Sequence, residues 1–313
     1  MTQAQNAPAK PLGPALWFQV ARAFSYPASI SAVLLGQAIA VYQGYHFLWD
    51  RFLAALFGVL FFHTAANLLN DSHDFERGLD AVVLPMSGGV VRGWITPRTA
   101  RRWAWLCLGL GVLIGLRLVQ LAGWPVLLLG GVGTLLALGY TGKQFCLKYA
   151  GLGDLTIFLA FGLLPVFGTY FLQTGHFDAA PLIWTLPMAS FTVGILHANN
   201  WHDIHSDPKA GCRTVAGRLG DPRSATYYTL LMLAPFILIL AFLLAGRLGC
   251  PSLNAPLTVL ITLPVFLHAR QLVTIGKHKA EGFIMLDGLT AQVQLLFGIL
   301  LAAGFVAGRW IGR

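Results

Sequence analysis

Two short stretches of this 313-residue chain concentrate the side chains able to hold a hard cation. The first reads Asn67-Leu-Leu-Asn70-Asp71-Ser-His-Asp74-Phe-Glu76-Arg77-Gly78-Leu-Asp80, and the second His197-Ala-Asn199-Asn200-Trp-His202-Asp203-Ile-His205-Ser-Asp207. On a helix, positions 67, 70, 71 and 74 follow an i, i+3, i+4, i+7 rhythm and share one face, as do Asn199, Asp203 and Asp207. Carboxylates crowded in this way repel one another unless a cation sits among them. Oxygen donors suit Mg²⁺, which usually takes one or two carboxylates together with the oxygens of a substrate phosphate. Two facing clusters can hold such ions around one diphosphate. The metal then neutralises charge on a departing pyrophosphate, while apolar surroundings keep water from a carbocation. The competing reading is that Asn and Asp merely cap solvated helix ends. One cluster alone fits either reading; two in the same register, on one face and beside basic loops, favour chemistry, because ionisable groups near membrane depth are costly to keep.

The elements that must position these clusters are membrane helices. The chain is 56% hydrophobic and 11% charged, well under the roughly 25% charged of a soluble domain. A hydrocarbon core about 30 Å thick needs about 20 mostly apolar residues per helical span. Nine stretches qualify: 25–43, 52–69, 103–121, 123–140, 155–173, 179–198, 226–246, 255–272 and 289–309, the third and fourth joined by a tight turn at Ala122, Gly123 and Trp124. The expected architecture is an all-α integral membrane protein, a nine-helix bundle. Residues 1–14 read as a disordered, Pro/Ala-rich tail and 15–313 as a single membrane domain.

Lys and Arg concentrate in short cytoplasmic loops. With the N-terminus inside, sixteen of them fall on the inner side and five on the outer. Both clusters follow even-numbered spans, so both emerge on the cytoplasmic face. The net charge of +9 is explained by this asymmetry; the basic residues form no stripe of the kind that binds nucleic acid.

Other polar residues carry weaker signals. Lys143 and Lys148 can bind diphosphate, though membrane orientation alone would also place lysines there, and Arg213 has the same dual reading. His63, His73, His197, His202 and His205 are more often hydrogen-bonded bystanders than bases. Cysteines 107, 146, 212 and 250 lack metal-ligand spacing and read as free thiols. No Gly-rich phosphate loop, Ser-His-Asp order or HExxH is present.

Four stretches resemble the UbiA superfamily of intramembrane prenyltransferases, and within it the 1,4-dihydroxy-2-naphthoate polyprenyltransferase branch. They are Arg22–Ser29; Asn70-Asp71-x-x-Asp74-x-x-x-Gly78-x-Asp80; Tyr140-Thr141-Gly142 through Lys148 to Asp154; and Asn199-Asn200-x-x-Asp203-x-x-x-Asp207 through Arg213-Thr214. The resemblance implies a nine-helix bundle with aspartate-rich motifs after the second and sixth helices. By position it assigns Asn70 and Asp74 to the first metal-binding pair, Asp203 and Asp207 to the second, and Lys148 to diphosphate contact. Asp80 stands at the naphthoate-branch spacing. His202 replaces a common arginine, and Arg213 a common lysine, which bears on the acceptor more than on the reaction.

The expected enzyme is thus an Mg²⁺-dependent transferase in a bacterial cytoplasmic membrane, active site inward, moving a polyprenyl group from its diphosphate to an aromatic acceptor in menaquinone biosynthesis. Asp74, Asp203 and Asp207 are the expected catalytic residues; Asn70, Asp71, Asp74, Asp80, Asp203 and Asp207 the Mg²⁺ ligands; and Arg22, Asn67, Tyr140, Lys143, Lys148, Asn199, Asn200 and Arg213 the substrate-binding residues. A different acceptor, a membrane terpene cyclase, and a transporter remain as alternatives.

Overall fold

The computed structural model describes residues 10–78, 83, 87–142, 146–204, 211–250, 253 and 255–311, and every regular element among them is helical. Of the tail expected over 1–14, residues 1–9 lie outside the described residues; Pro14 opens α1 (Pro14–Val20), where a missing amide hydrogen costs nothing. The chain then turns at Arg22, whose φ of 52° is left-handed, and enters α2 (Pro27–Gln43). Gly44, φ 103°, closes α2 in the conformation that glycine alone adopts at no steric cost.

The helix that carries the first cluster, α3 (Trp49–Glu76), has 28 residues. At about 1.5 Å per residue it is about 42 Å long, more than the hydrocarbon core, so its last turns reach the interface. Asn67 to Asp74 occupy the last three turns of that helix. α4 (Pro97–Ala122) starts from a Thr96 cap whose hydroxyl accepts the Thr99 N–H at 3.1 Å. Gly123, φ 87°, makes the tight turn into α5 (Trp124–Thr141).

The fifth span is composite: α6 (Gly153–Ile157), a π-helical turn (Phe158–Leu163) and α7 (Leu164–Thr174). π-bulges of this kind tend to occur at functional sites. α8 (Ala179–His202) carries the second cluster, its start capped by Asp178 accepting the Ala180 N–H at 2.8 Å. α9 (Val215–Arg247) is interrupted at Gly220, φ 72°, just ahead of Pro222, so a short helical piece precedes the stretch expected to span. α10 (Pro256–Thr262) and α11 (Val265–His278) precede α12 (Leu286–Ile311).

All nine expected stretches fall on helices, but the count differs. Among the described residues seven helices are long and apolar enough to cross a bilayer; Trp124–Tyr140 is shorter, and the eighth stretch divides into α10 and α11. Pro264 accounts for that division, since it removes an amide donor and crowds the preceding turn. The chain is an integral membrane protein.

Packing is uneven. α2, α7, α8, α9 and α12 enclose a core around Trp184, Phe191, Phe297 and Phe305, with Trp184 edge-on to Phe305 at 4.8 Å. Gly36 lets α2 approach α7 so closely that a Cβ there would lie 2.2 Å from the Val166 carbonyl oxygen. By contrast α3, α4, α5 and α7 line a partly open apolar cavity, walled by Gly58, Gly111, Gly115, Gly130, Gly133 and Gly168.

Candidate functional site

A second, partly open cavity lies where the ends of α3, α5, α8 and α12 meet the first turn of α2. Arg22, Asn67, Asn70, Tyr140, Lys148 and Asn199 line it, six of the expected substrate or metal residues drawn from five segments of chain. It shares Ala137, Ala160 and Phe161 with the apolar cavity, so the two lie side by side with these residues between them. The π-helical turn supplies Ala160 and Phe161 at that junction.

Asp74 is fully buried behind the polar chamber's wall. Its Oδ2 accepts from Lys148 Nζ at 2.6 Å and its Oδ1 from the Tyr149 hydroxyl at 2.9 Å. Burial, then the Asp74 charge, push the Tyr149 phenol above its ordinary range, so it stays a donor. Lys148 itself lines the chamber, with the Asp74 carboxylate anchoring its ammonium group.

The loop bearing Lys148 is gripped from both clusters' sides. Arg77, one residue past α3, donates to the Gly142 carbonyl at 3.3 Å and lies over the Tyr149 ring at 4.5 Å. Arg218, in the first turns of α9, donates to the Ala150 carbonyl at 2.9 Å. Gly151 sits where a Cβ would be 2.9 Å from the Arg213 carbonyl oxygen, so this loop and the start of α9 touch.

Asp71 goes elsewhere. Its Oδ2 accepts the Val90 N–H at 2.8 Å, and the 87–96 segment folds over it so tightly that a Cβ on Gly88 would lie 2.3 Å from Oδ1. The side chain expected to bind metal therefore faces a backbone loop and does not line the chamber. Asp203 caps the C-terminus of α8, half-buried and outside the chamber lining, while Asn200 is buried and Arg213 exposed, neither lining it. Asp80, Lys143 and Asp207 lie outside the described residues, as does His205.

Three of the candidate histidines are held structurally. His63 is hydrogen-bonded by Ser25 at 3.0 Å and Ser29 at 2.8 Å, and its ring stands 4.4 Å from Phe161 at the junction of the cavities. His197 lies against the Ser224 carbonyl at 3.2 Å, and His202 bonds the Phe283 carbonyl. The four cysteines are free thiols.

The donor set fits a hard cation. Asn67 donates its amide to the Ala21 carbonyl at 3.0 Å and to Ser25 at 3.1 Å. One helical turn on, the buried Asn70 Oδ1 has no hydrogen-bond partner among the described residues. An orphaned amide oxygen is expensive to bury, and an oxygen-seeking cation beside Asp74, at i+4 on the same face, would satisfy it. Among the described residues no group of three or more His, Cys, Asp or Glu gathers into a metal cluster. The fit rests on oxygen donors that include amides.

Sequence reasoning missed three contributors. In the sequence Arg77 and Arg218 bear only on orientation, and nothing there shows which carbonyls they reach. Asp287 lines the chamber from the first turn of α12. In the sequence it is one Asp ahead of an apolar run, which reads as a helix cap.

The chain is similar to known proteins over nearly its whole length. It is 29% identical to 1,4-dihydroxy-2-naphthoate octaprenyltransferase from Bacillus subtilis (strain 168), covering 97% of this chain and 96% of that one. It is 31% identical to the human UbiA prenyltransferase domain-containing protein 1, over 91% of this chain and 81% of that one. Two solved structures share the fold: a UbiA homolog from Aeropyrum pernix K1, with TM-score 0.66, 18% identity and coverage of 89% and 97%, and one from Archaeoglobus fulgidus bound to GPP and Mg²⁺, with TM-score 0.60, 13% identity and coverage of 92% and 99%. The UbiA prenyltransferase family model matches residues 29–286, and the chain belongs to that family of prenyltransferases.

Proposed function

We propose that the polar chamber binds the diphosphate of a polyprenyl diphosphate and an aromatic acceptor, 1,4-dihydroxy-2-naphthoate, and that the product is a menaquinone precursor. The observation that carries this reading is the convergence of Asn70, Lys148 and Asn199 on one chamber that shares Phe161 with a neighbouring apolar pocket. Such a site suits a ligand with an anionic head and a long hydrocarbon tail. The Bacillus relative's name supports the choice of acceptor, and the Archaeoglobus homolog bound to GPP and Mg²⁺ supports the choice of donor and metal.

In this mechanism Asn70 and Asp74 on α3, together with Asp203 and Asp207 of the second cluster, would hold Mg²⁺. When bound, the metal supplies Lewis-acid neutralisation of the diphosphate's charge. Lys148 contacts diphosphate oxygens through charge-assisted hydrogen bonds, steadied by Asp74 and Tyr149. The tail lies along the glycine-walled cavity. Phe161 and the apolar residues at the junction exclude water from the allylic carbon as the C–O bond to diphosphate breaks. The acceptor's electron-rich ring carbon then bonds to that allylic carbon, and with dihydroxynaphthoate the ring loses CO₂ as the aromatic system is restored. The asymmetry of sixteen basic residues against five supports a chamber on the cytoplasmic face, in this reading that of a bacterial inner membrane.

The test is a product assay. Purified protein in lipid is offered panels of prenyl diphosphates and phenolic acceptors with Mg²⁺, and products are read by mass spectrometry. A prenylated, decarboxylated naphthoquinol is expected. A cyclic hydrocarbon formed from donor alone would mean a terpene cyclase, and prenylation of a different phenol only would reassign the acceptor.

A further inference from the structure

Among the described residues, the polar chamber has a single carboxylate in its lining, and it belongs to neither acidic cluster. That residue, Asp287, is 2% exposed. Its Oδ1 accepts the N–H of Gly288 at 2.8 Å, and no described side chain donates a hydrogen bond to it. Arg22 and His202 act on it electrostatically. A buried carboxylate served only by backbone of its own turn is expensive to maintain. Something else must repay that cost.

Capping does not account for it. An acidic group in the first turn of a helix meets the favourable end of the helix dipole, but that advantage is available to an exposed residue and gives no reason to face a chamber. Asp74 and Asn70 reach the site from α3, whereas Asp287 reaches it from α12. The diphosphate reading assigns Asn70 and Lys148 to the donor and the metal to the two clusters; a carboxylate on α12, outside both clusters, suits a partner that offers a hydrogen. A phenolic hydroxyl is such a partner.

We infer that Asp287 recognises the acceptor by accepting a hydrogen bond from its ring hydroxyl, which fixes the ring in the chamber and favours hydroxylated aromatics over their ethers. This rests on the proposed function. A hydrogen bond to an ionised group is about twice as strong as one between neutral groups, so removing the charge should be read mainly in acceptor constants.

The experiment uses the full-length protein in lipid and the variant Asp287→Asn, which caps a helix as well as Asp does but carries no charge. Donor and acceptor are titrated separately, with 1,4-dihydroxy-2-naphthoate and its mono-methyl ethers as acceptors. The expected result is a roughly 10-fold loss of kcat/KM for the acceptor, in line with one charged hydrogen bond, a donor KM within about 2-fold of wild type, and weaker discrimination between the hydroxylated acceptor and at least one ether. Asp287→Ala should extend the acceptor loss, with donor protection against thermal unfolding retained. Unchanged acceptor constants in Asp287→Asn, or equal losses for donor and acceptor, would overturn the role of Asp287 while leaving the proposed function intact. Wild-type protein that prenylates no phenol would overturn both.

Discussion

The ends of α3 and α8 carry similar strings of Asn and Asp but are fastened in different ways. At the end of α3 the acidic side chains themselves do the fastening: Asp74 holds Lys148 and Tyr149, and Asp71 holds the Val90 N–H. At the end of α8 the aromatic residues do it. Trp201 donates its indole N–H to Asp221, which also pairs with Lys279 at 2.6 Å, and His202 reaches the turn before α12. The first cluster is thus tied to the loop that carries a cation toward the chamber. The second is tied to other helices, leaving Asn199 to face the cavity. Two motifs of one composition divide the work: one positions a charged loop, the other anchors a helix.

The largest expected effect comes from breaking the first arrangement. Asp74→Ala should lower turnover by about 10²-fold or more, since it removes a proposed metal ligand and strands Lys148. Breaking a buried pair costs about 3–5 kcal/mol, so folding must be checked alongside. The double variant Asp74→Asn/Lys148→Met removes both charges. It is expected to recover thermal stability but not turnover, and recovery of both would reduce the pair to a structural tie. Next comes Lys148→Ala, for which one or two lost charge-assisted contacts predict roughly 10- to 150-fold weaker use of the prenyl diphosphate with little change for the acceptor. Equal donor constants would make it an ordinary positive-inside residue.

Smaller effects sharpen the contrast. Arg77→Ala loosens the Lys148 loop by removing a contact over the Tyr149 ring worth about 0.5–1 kcal/mol, so a few-fold rise in donor KM is expected from steady-state titration. Trp201→Phe removes the bond to Asp221 and should cost about 0.5–1.5 kcal/mol of stability, visible as a lower melting temperature with donor KM unmoved. A shifted donor KM in Trp201→Phe would erase the distinction between the two helix ends.

Much of this arrangement is legible in sequence, and the reason is local. Apolar run length locates the long helices, though not the short α1 or the start of α9, and the i, i+4 spacing of Asn70 and Asp74 fixes their common face. What is not legible depends on distant contacts. Asp71 fits the metal-binding pattern as well as Asp74 does, yet a loop nineteen residues on supplies its hydrogen bond, and only the absence of a side chain at Gly88 permits that approach. Asp287 reads as a cap because its chamber is built by four other elements. The break between α10 and α11 turns on Pro264, which a window average over an apolar stretch does not register.

The account stands on the claim that the chamber lined by Asn70, Lys148 and Asn199 holds the diphosphate head of the donor. Equilibrium binding of a non-reactive prenyl diphosphate analogue, measured on wild type and Lys148→Ala with Mg²⁺ and again after chelation, tests it most directly. The account predicts tight binding only for wild type with Mg²⁺, weakened roughly 10- to 150-fold in Lys148→Ala and lost on chelation. Equal affinity in both proteins, unaffected by chelation, would contradict it.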